Sequence, residues 1–135
     1  ELPHHYGNAG VFVHASTTEQ WGLVINEAMA SGLPVLVSER CGCAPDLVES
    51  GRNGYTFDPL NIDGLAALML QVSSDTCDRA SMGGASREII SNWSPDTFGK
   101  CHQCGQDIAF ERLDALPHAR FCIECKQREE DAKKG

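Results

Sequence analysis

The sequence has no stretch apolar enough to cross a membrane and no start typical of a secreted protein. Its longest mostly apolar run, residues 64–70, is far shorter than the roughly 20 residues that a membrane helix needs. The opening residues 1–6 have neither the basic start nor the apolar stretch of a signal peptide. We therefore expect a cytoplasmic chain without a membrane span. Because it begins at Glu1 and not at Met, we expect a piece of something longer.

Positive charge is scarce in the longer first part of the chain. Residues 1–99 have no lysine, four arginines and twelve acidic residues, whereas residues 100–135 have seven basic and seven acidic residues. The first part therefore carries the whole net charge of −8. Neither part is basic enough to hold a nucleic acid by neutralising phosphates, so no direct nucleic-acid binding is expected. The change of composition predicts two domains, 1–99 and 100–135.

The pattern of apolar residues in the first part predicts an α/β fold. Residues 10–15 and 35–37 have the β-branched and apolar composition of buried strands. Between them, residues 21–31 are good helix formers, and Gly32 predicts the end of that helix. Strand, helix, strand is the parallel crossover unit of α/β proteins.

Weaker signals continue the same order of elements. They predict a helix over 44–50, a strand over 55–57, a helix over 62–72, and a helix over 75–90 that is interrupted at Gly83-Gly84. One face of the third predicted helix is apolar and is expected to lie in the core: Leu65, Leu68, Met69 and Val72.

Two carboxylates flank the start of the first predicted helix. Glu19 and Glu27 are eight positions apart, with Gly22 at the turn between them. A helix N-terminus offers free N–H groups and partial positive charge, which suit a diphosphate, and a glycine lets the backbone approach it. Glu27 can accept hydrogen bonds from ribose hydroxyls, and Glu19 can hold those of a sugar. The alternative is a pair of solvated charges beside a helix. His14 is either a satisfied core or rim histidine or a further contact to sugar or phosphate.

This segment resembles the retaining glycosyltransferases of family 4, which have the two-lobed GT-B fold. The likeness rests on His14 to Glu19, Trp21 to Val24, Glu27 to Val35, Gly42, Asp46 to Val48, Gly51, Asn53-Gly54 and Trp93 to Pro95. It implies a partial doubly wound, Rossmann-like lobe, the C-terminal domain of such an enzyme. Glu19 and Glu27 would be the family's two spaced glutamates. The amides near Gly22 and Leu23 would face a nucleotide-sugar donor.

The sequence departs from that family in what it contains. Gln20 stands where the family usually has glycine, and Asn26 where an apolar residue is common. The family's basic pair for the diphosphate and its acceptor lobe have no counterpart in these 135 residues. The resemblance therefore predicts the donor-binding part of a transferase, without sugar transfer by this chain alone. The sugar, the nucleotide and the acceptor stay open.

Four of the seven cysteines have the spacing of metal ligands. Cys101 and Cys104 are separated by two residues, as are Cys122 and Cys125, with seventeen residues between the pairs. Such pairs let one tight turn point both sulfurs at a single ion, and four thiolates complete the tetrahedron of a structural zinc site. The alternatives are four free thiols or two disulfides.

The remaining cysteines and the nearby histidines show no such spacing. Cys41, Cys43 and Cys77 are expected to be free thiols, the first two on a loop. His102 and His118 are substitute ligands in principle, but four cysteines already satisfy a zinc ion, so both are expected at the surface.

The second part resembles the four-cysteine zinc finger of the DksA and TraR proteins, bacterial factors that bind RNA polymerase. The likeness rests on both cysteine pairs with Gly105, Ile108, Arg112-Leu113, Ala115, Pro117 and Ala119-Arg120. Residues 124–134 are expected to continue as a charged helix. The acidic helical hairpin through which those factors act does not precede Cys101. The finger is therefore expected without that effector arm.

Two hypotheses follow for the whole chain. In the first, it is the donor-binding part of a sugar transferase with an added zinc module, through which a protein partner can bind. In the second, it is a non-catalytic zinc protein of the DksA/TraR type, and the α/β segment is scaffold. The abrupt join is also compatible with a composite chain.

Overall fold

The computed structural model describes residues 2–93, 99–116 and 119–135. They form two compact units, Glu1–Asn92 and Trp93–Gly135. The predicted boundary between residues 99 and 100 stays a prediction, because residues 94–98 lie outside the described part. The Ser94-Pro95 match and the expectations for Pro117 and His118 fall outside it as well.

The first unit is an α/β fold built on one parallel sheet. Its strands pair in the order β1-β2-β3: β1 Phe12–His14, β2 Val35–Ser38 and β3 Gly54–Phe57. The helices are α1 Leu2–Asn8, α2 Leu23–Ala30, α3 Ala44–Leu47, α4 Ile62–Ser73 and α5 Arg79–Ser91. The predicted parallel α/β fold is thus confirmed. Helix α1, whose sequence contains a proline, a glycine and two histidines, was not predicted.

The middle strand carries the core of the sheet. All four residues of β2 are buried between the other two strands, as expected for a parallel strand covered on both faces. On one side, Leu36, Phe57 and Val72 form a cluster against which half-buried Leu65 and Leu68 pack. Met69 is 46% exposed, so its predicted place in the core is wrong. Residues 65, 68 and 72 follow one helix face, and Met69 lies at its border.

Helix α5 runs through the two glycines that were expected to interrupt it. Gly83 is buried, and a Cβ atom there would lie 2.0 Å from the carbonyl oxygen of Gly32, just after helix α2. Ser86, one turn further, donates a hydrogen bond of 2.7 Å to the carbonyl of Leu33. Gly83 therefore serves the close approach of α5 to the segment that links α2 to β2.

The neighbouring glycines give a matched pair of substitutions. We expect Gly83→Ala to destabilise the first unit by about 1–3 kcal/mol, because the new methyl group overlaps backbone. Gly84 is exposed with nothing within 4 Å of its Cβ position, so Gly84→Ala is expected to stabilise by roughly 0.5–1 kcal/mol. Urea unfolding of both variants measures this. Equal shifts of the same sign would contradict the packing role.

The second unit contains two helices and a small core around its cysteines. The helices are α6 Phe110–Ala115 and α7 Ile123–Lys134, and Lys100 pairs with Asp107 in an antiparallel bridge. Cys101, Ile108 and Cys125 are buried together, with Leu113 and Phe121 against them. The charged helix α7 was predicted, whereas α6 was not. Over the described residues of both units, no helix is long and apolar enough to cross a membrane.

Candidate functional sites

The loops that follow β1 and β2 are hydrogen-bonded to each other at one edge of the sheet. Glu19 pairs with Cys41 in a parallel bridge, and the N–H of Gly42 donates to the carbonyl of Glu19 at 2.9 Å. A Cβ atom on Gly42 would lie 1.7 Å from the Gln20 carbonyl oxygen, so only glycine allows this approach. Because the strands are parallel, this is their carboxyl edge, where open α/β sheets bind ligands.

Helix α2 begins at this edge at a buried glycine that no described side chain caps. Its N-cap is Gly22, with φ 91° and ψ 68°, and the described residues provide no side chain that caps it. The N–H of Ile25 donates back to the Gly22 carbonyl at 2.9 Å. Leu23 and Val24, the first two helical residues, are 71% and 38% exposed. The left-handed conformation explains the glycine, and the first-turn amides are left for water or a ligand.

The side chains on both sides of Gly22 close around the turn. A Cβ atom on Gly22 would lie 3.3 Å from Cγ of Glu19 and 3.0 Å from Cδ1 of Ile25. Nε1 of Trp21 donates to Oδ1 of Asn26 at 3.1 Å. This bond accounts for the polar residue at position 26, where an apolar one was expected. The Trp21–Asn26 hydrogen bond was not predicted from the sequence. The asparagine, at a position where an apolar residue is common, was the feature that could have indicated it.

Glu27 lies one turn beyond Leu23 on the same face of α2, since residues four apart share a face. Its Oε2 accepts a hydrogen bond of 3.1 Å from the hydroxyl of Tyr6 on α1. Burial of Tyr6 and its bond to the Glu27 carboxylate raise the pKa of Tyr6. Sequence reasoning missed Tyr6 because the two residues are 21 positions apart.

His14, the last residue of β1, lies beneath the glycine turn. Its ring stacks on Phe12 with 6.3 Å between centroids and 11° between planes. Nε2 lies 3.8 Å from the Cβ position of Gly22. It is a buried atom that finds no hydrogen-bond partner in the described part of the chain. Within the described residues, no protein group therefore satisfies Nε2 of His14, so the expectation of a satisfied histidine is not met.

The cysteines of the carboxyl-edge loop are free thiols, as expected, but both are buried. Burial is the largest cause that raises the pKa of Cys43 to about 12, and electrostatic repulsion from Cys41 adds to it. Burial and the charge of Glu19 also raise the pKa of Cys41. Both thiols thus stay protonated at neutral pH, which makes them unreactive packing groups.

The four predicted metal ligands come together in the second unit. The Sγ atoms of Cys101, Cys104, Cys122 and Cys125 all lie within 4.8 Å of one another. The Cys104 and Cys122 sulfurs are 3.9 Å apart. A tetrahedral ion with metal–sulfur bonds of about 2.3 Å separates its sulfurs by about 3.8 Å, whereas a disulfide requires about 2.05 Å. The geometry and the all-thiol donor set fit a four-coordinate zinc ion.

Backbone turns aim the four sulfurs at one point. The N–H of Gly105 donates to the Cys101 carbonyl at 2.8 Å, and Gly105 has φ 74°, the permissive conformation expected there. Cys122 is the N-cap of α7, and Cys125 lies on its first turn. The described residues offer no fifth ligand close to this group. His102 is exposed, as expected, and its ring meets Trp93 edge-on at 5.3 Å.

The pKa values of neighbouring thiols in this cluster shift in opposite directions. Burial disfavours the Cys101 thiolate, but backbone N–H groups of Cys104, Cys122 and Gln103 outweigh it and lower the pKa of Cys101 to about 6. Burial and bonds to the neighbouring sulfurs raise the pKa of Cys125 to about 12. A divalent cation would remove this conflict, because it stabilises all four thiolates together.

These features define two classes of unit. The first is a parallel α/β lobe in which an uncapped helix begins at the carboxyl edge of the sheet. The second is a small finger built on four cysteines. Comparison with known proteins agrees with both. The chain belongs to the glycosyl transferases group 1 family, which residues 1–89 match. Residues 96–131 match the prokaryotic dksA/traR C4-type zinc finger. Both sequence resemblances are thus confirmed.

The chain is similar to parts of several curated transferases. Sulfoquinovosyl transferase SQD2 of Arabidopsis thaliana is 37% identical over 91 residues, which are 65% of this chain and 18% of that protein. The GDP-mannose-dependent alpha-(1-6)-phosphatidylinositol monomannoside mannosyltransferase of Mycolicibacterium smegmatis is 35% identical over 107 residues, 73% of this chain and 28% of that protein. The chain therefore spans between 18% and 28% of the length of these relatives.

Solved structures agree with the fold. Sucrose-phosphate synthase from Thermosynechococcus elongatus superposes with a TM-score of 0.60 at 30% identity, covering 64% of this chain and 22% of its own. TarM superposes with a TM-score of 0.58 at 32% identity, covering 64% of this chain and 18% of its own. The first unit is a partial GT-B lobe, as the sequence indicated.

Proposed function

We propose that the first unit binds the nucleotide-sugar donor of a glycosyl transfer at the carboxyl edge of its sheet. The observation that carries this proposal is the start of α2: an uncapped helix N-terminus at a left-handed glycine, with a carboxylate on either side of it. Free N–H groups with partial positive charge are a ready site for a phosphate. Membership of the glycosyl transferases group 1 family supports a diphosphate-linked sugar as the ligand.

Each group at this edge has a distinct part in the proposed site. The amides at Gly22 and Leu23 bind the diphosphate. Glu27, on the helix face that Leu23 shares, accepts hydrogen bonds from the ribose hydroxyls. Glu19, held by its bridge to Cys41, faces the sugar. Carboxylates suit hydroxyl donors because each ionised group accepts up to about four hydrogen bonds.

Transfer itself is proposed to need groups that this chain does not supply. Most arginines of the first unit are already engaged: Arg52 with Glu49 and Glu88, Arg79 with the Val72 carbonyl, and Arg87 with the Ser31 carbonyl. A unit of this charge with few available cations is poorly suited to neutralise the diphosphate that leaves during transfer.

We therefore expect donor binding without turnover. Titration of the full chain with UDP, GDP, UDP-glucose and GDP-mannose should shift the amide resonances of residues 22–24 with at least one of them. The same mixtures, incubated with common sugar acceptors, should release no nucleotide diphosphate above the rate without protein. Turnover would contradict the charge argument, and unmoved amides at residues 22–24 would contradict the donor site.

For the second unit we propose a structural zinc ion held by Cys101, Cys104, Cys122 and Cys125. The donor set and the spacing of the sulfurs support zinc, and so does the match to the C4-type zinc finger. Such an ion has no open coordination position, so its part is to stabilise the fold and not to catalyse.

In a second candidate function, the zinc finger binds a protein partner and the α/β lobe is only a scaffold. Among the described residues of the second unit, three large apolar side chains stand exposed: Phe110 at 77%, Leu116 at 43% and Ile123 at 69%. Exposed apolar groups on so small a unit favour a protein partner. The titration above separates the two functions, because a chain that holds zinc but binds no nucleotide would support the second one.

A further inference from the structure

We infer that Tyr6 is a positioning residue for Glu27 and sets the affinity of the donor site for nucleotides. This inference rests on the proposed function, because it concerns the carboxylate assigned to the ribose. Its basis is the hydrogen bond of 3.1 Å from the Tyr6 hydroxyl to Oε2 of Glu27, which joins α1 to α2.

Tyr6 is itself held firmly in place. Its side chain is 9% exposed, and its ring meets that of Phe12 at 5.9 Å with 60° between the planes. Phe12 belongs to β1, and its N–H donates to the Pro34 carbonyl at 2.9 Å. The Tyr6 ring thus packs against a strand of the sheet, and its hydroxyl reaches the Glu27 side chain of α2.

Glu27, by contrast, is an exposed residue in the middle of a helix. Without a partner, such a glutamate samples several rotamers, and a ligand that binds it must restrict them. The bond from Tyr6 occupies one carboxylate oxygen and leaves the other for the ligand. Because the side chain is oriented before binding, less conformational entropy is lost when a nucleotide arrives.

The chain supplies its own control for this bond. It has two tyrosines. The hydroxyl of the second one, Tyr55, accepts a hydrogen bond of 2.9 Å from Nε2 of Gln71 on α4. Tyr6→Phe and Tyr55→Phe each delete one hydroxyl that contacts one side chain and keep the ring. Only the first deletion touches a group of the proposed donor site.

The experiment is a calorimetric titration of the full chain with UDP and with GDP. Tyr6→Phe should weaken binding of the nucleotide that binds the wild type by roughly three-fold to ten-fold, whereas Tyr55→Phe should leave it unchanged. In a Glu27→Ala background, Tyr6→Phe should have no further effect, since the group that it positions is gone. A purely structural tyrosine would not show this coupling.

The other outcomes are equally distinct. If Glu27→Ala weakens binding and Tyr6→Phe does not, the positioning role is overturned and the donor site stands. If the loss in Tyr6→Phe persists in the Glu27→Ala background, Tyr6 acts by another route and the inference fails. If neither nucleotide binds the wild type, the proposed function fails, and the role of Tyr6 falls with it.

Discussion

Replacing Cys104 or Cys122 by serine is expected to remove the metal from residues 101–125 and to unfold that segment, while residues 2–92 keep their fold. The purified wild type should contain about one zinc per chain. Structural zinc in comparable peptides contributes roughly 10–16 kcal/mol, more than the whole stability of a small domain.

The size of the second unit explains why the effect should be so large. Among its described residues, the buried core cluster consists of Cys101, Ile108 and Cys125, and two of these are proposed metal ligands. A unit of about 40 residues buries too little apolar surface to offset its conformational entropy without a metal or a disulfide. The two units have separate cores, so the loss should not reach the α/β lobe.

Elemental analysis and amide resonances of both units test this directly. Cys77→Ser is the matched control, because Cys77 is a free, half-buried thiol of the first unit outside the cluster. His102→Ala tests the nearby histidine, and neither control should change the zinc content. Zinc-free reduced wild-type protein, or full zinc content in the Cys104→Ser and Cys122→Ser variants, would refute the assignment.

Glu27→Ala is expected to weaken nucleotide binding roughly ten-fold to a hundred-fold. A hydrogen bond between a carboxylate and a neutral hydroxyl contributes about 1.5–3 kcal/mol, and each 1.4 kcal/mol is a factor of ten in affinity. Glu27 lies one turn into the helix from its N-terminal end, where the diphosphate is proposed to bind, and we expect it to reach the ribose from there.

Glu19→Ala should act on a different part of the ligand. If Glu19 faces the sugar, its loss should weaken binding of the nucleotide sugar and scarcely change that of the bare nucleotide. Calorimetric titration of both variants with a nucleotide and its sugar conjugate separates the two carboxylates. Glu130→Ala, an exposed helix position of the second unit, controls for the change in net charge. Small, equal effects on both ligands would leave the glutamates as solvated charges beside a helix.

The grouping of the four cysteines could be predicted almost entirely from the sequence. Two residues between the members of each cysteine pair restrict both sulfurs to one side of a tight turn, whatever the rest of the chain does. The glycine after Cys104 added the backbone freedom that this turn requires, and φ of 74° at Gly105 agrees with it. The parallel sheet could also be predicted from the sequence. Continuously apolar strands that are joined by a helix are typical of parallel sheets and fit few other topologies.

The sequence by itself determined the α/β class of the first unit, the glycine at the start of α2, the two carboxylates beside it and the four cysteines of the finger. Each of these follows from the spacing of residues that are close together in the sequence. Only the tertiary structure decided that Tyr6 contacts Glu27 and that Gly83 packs against Gly32. Those pairs join segments 21 and 51 positions apart, and the packing of whole elements places them. The physical reason is that local spacing limits the directions of neighbouring side chains, whereas distant partners meet only after the core has brought their elements together.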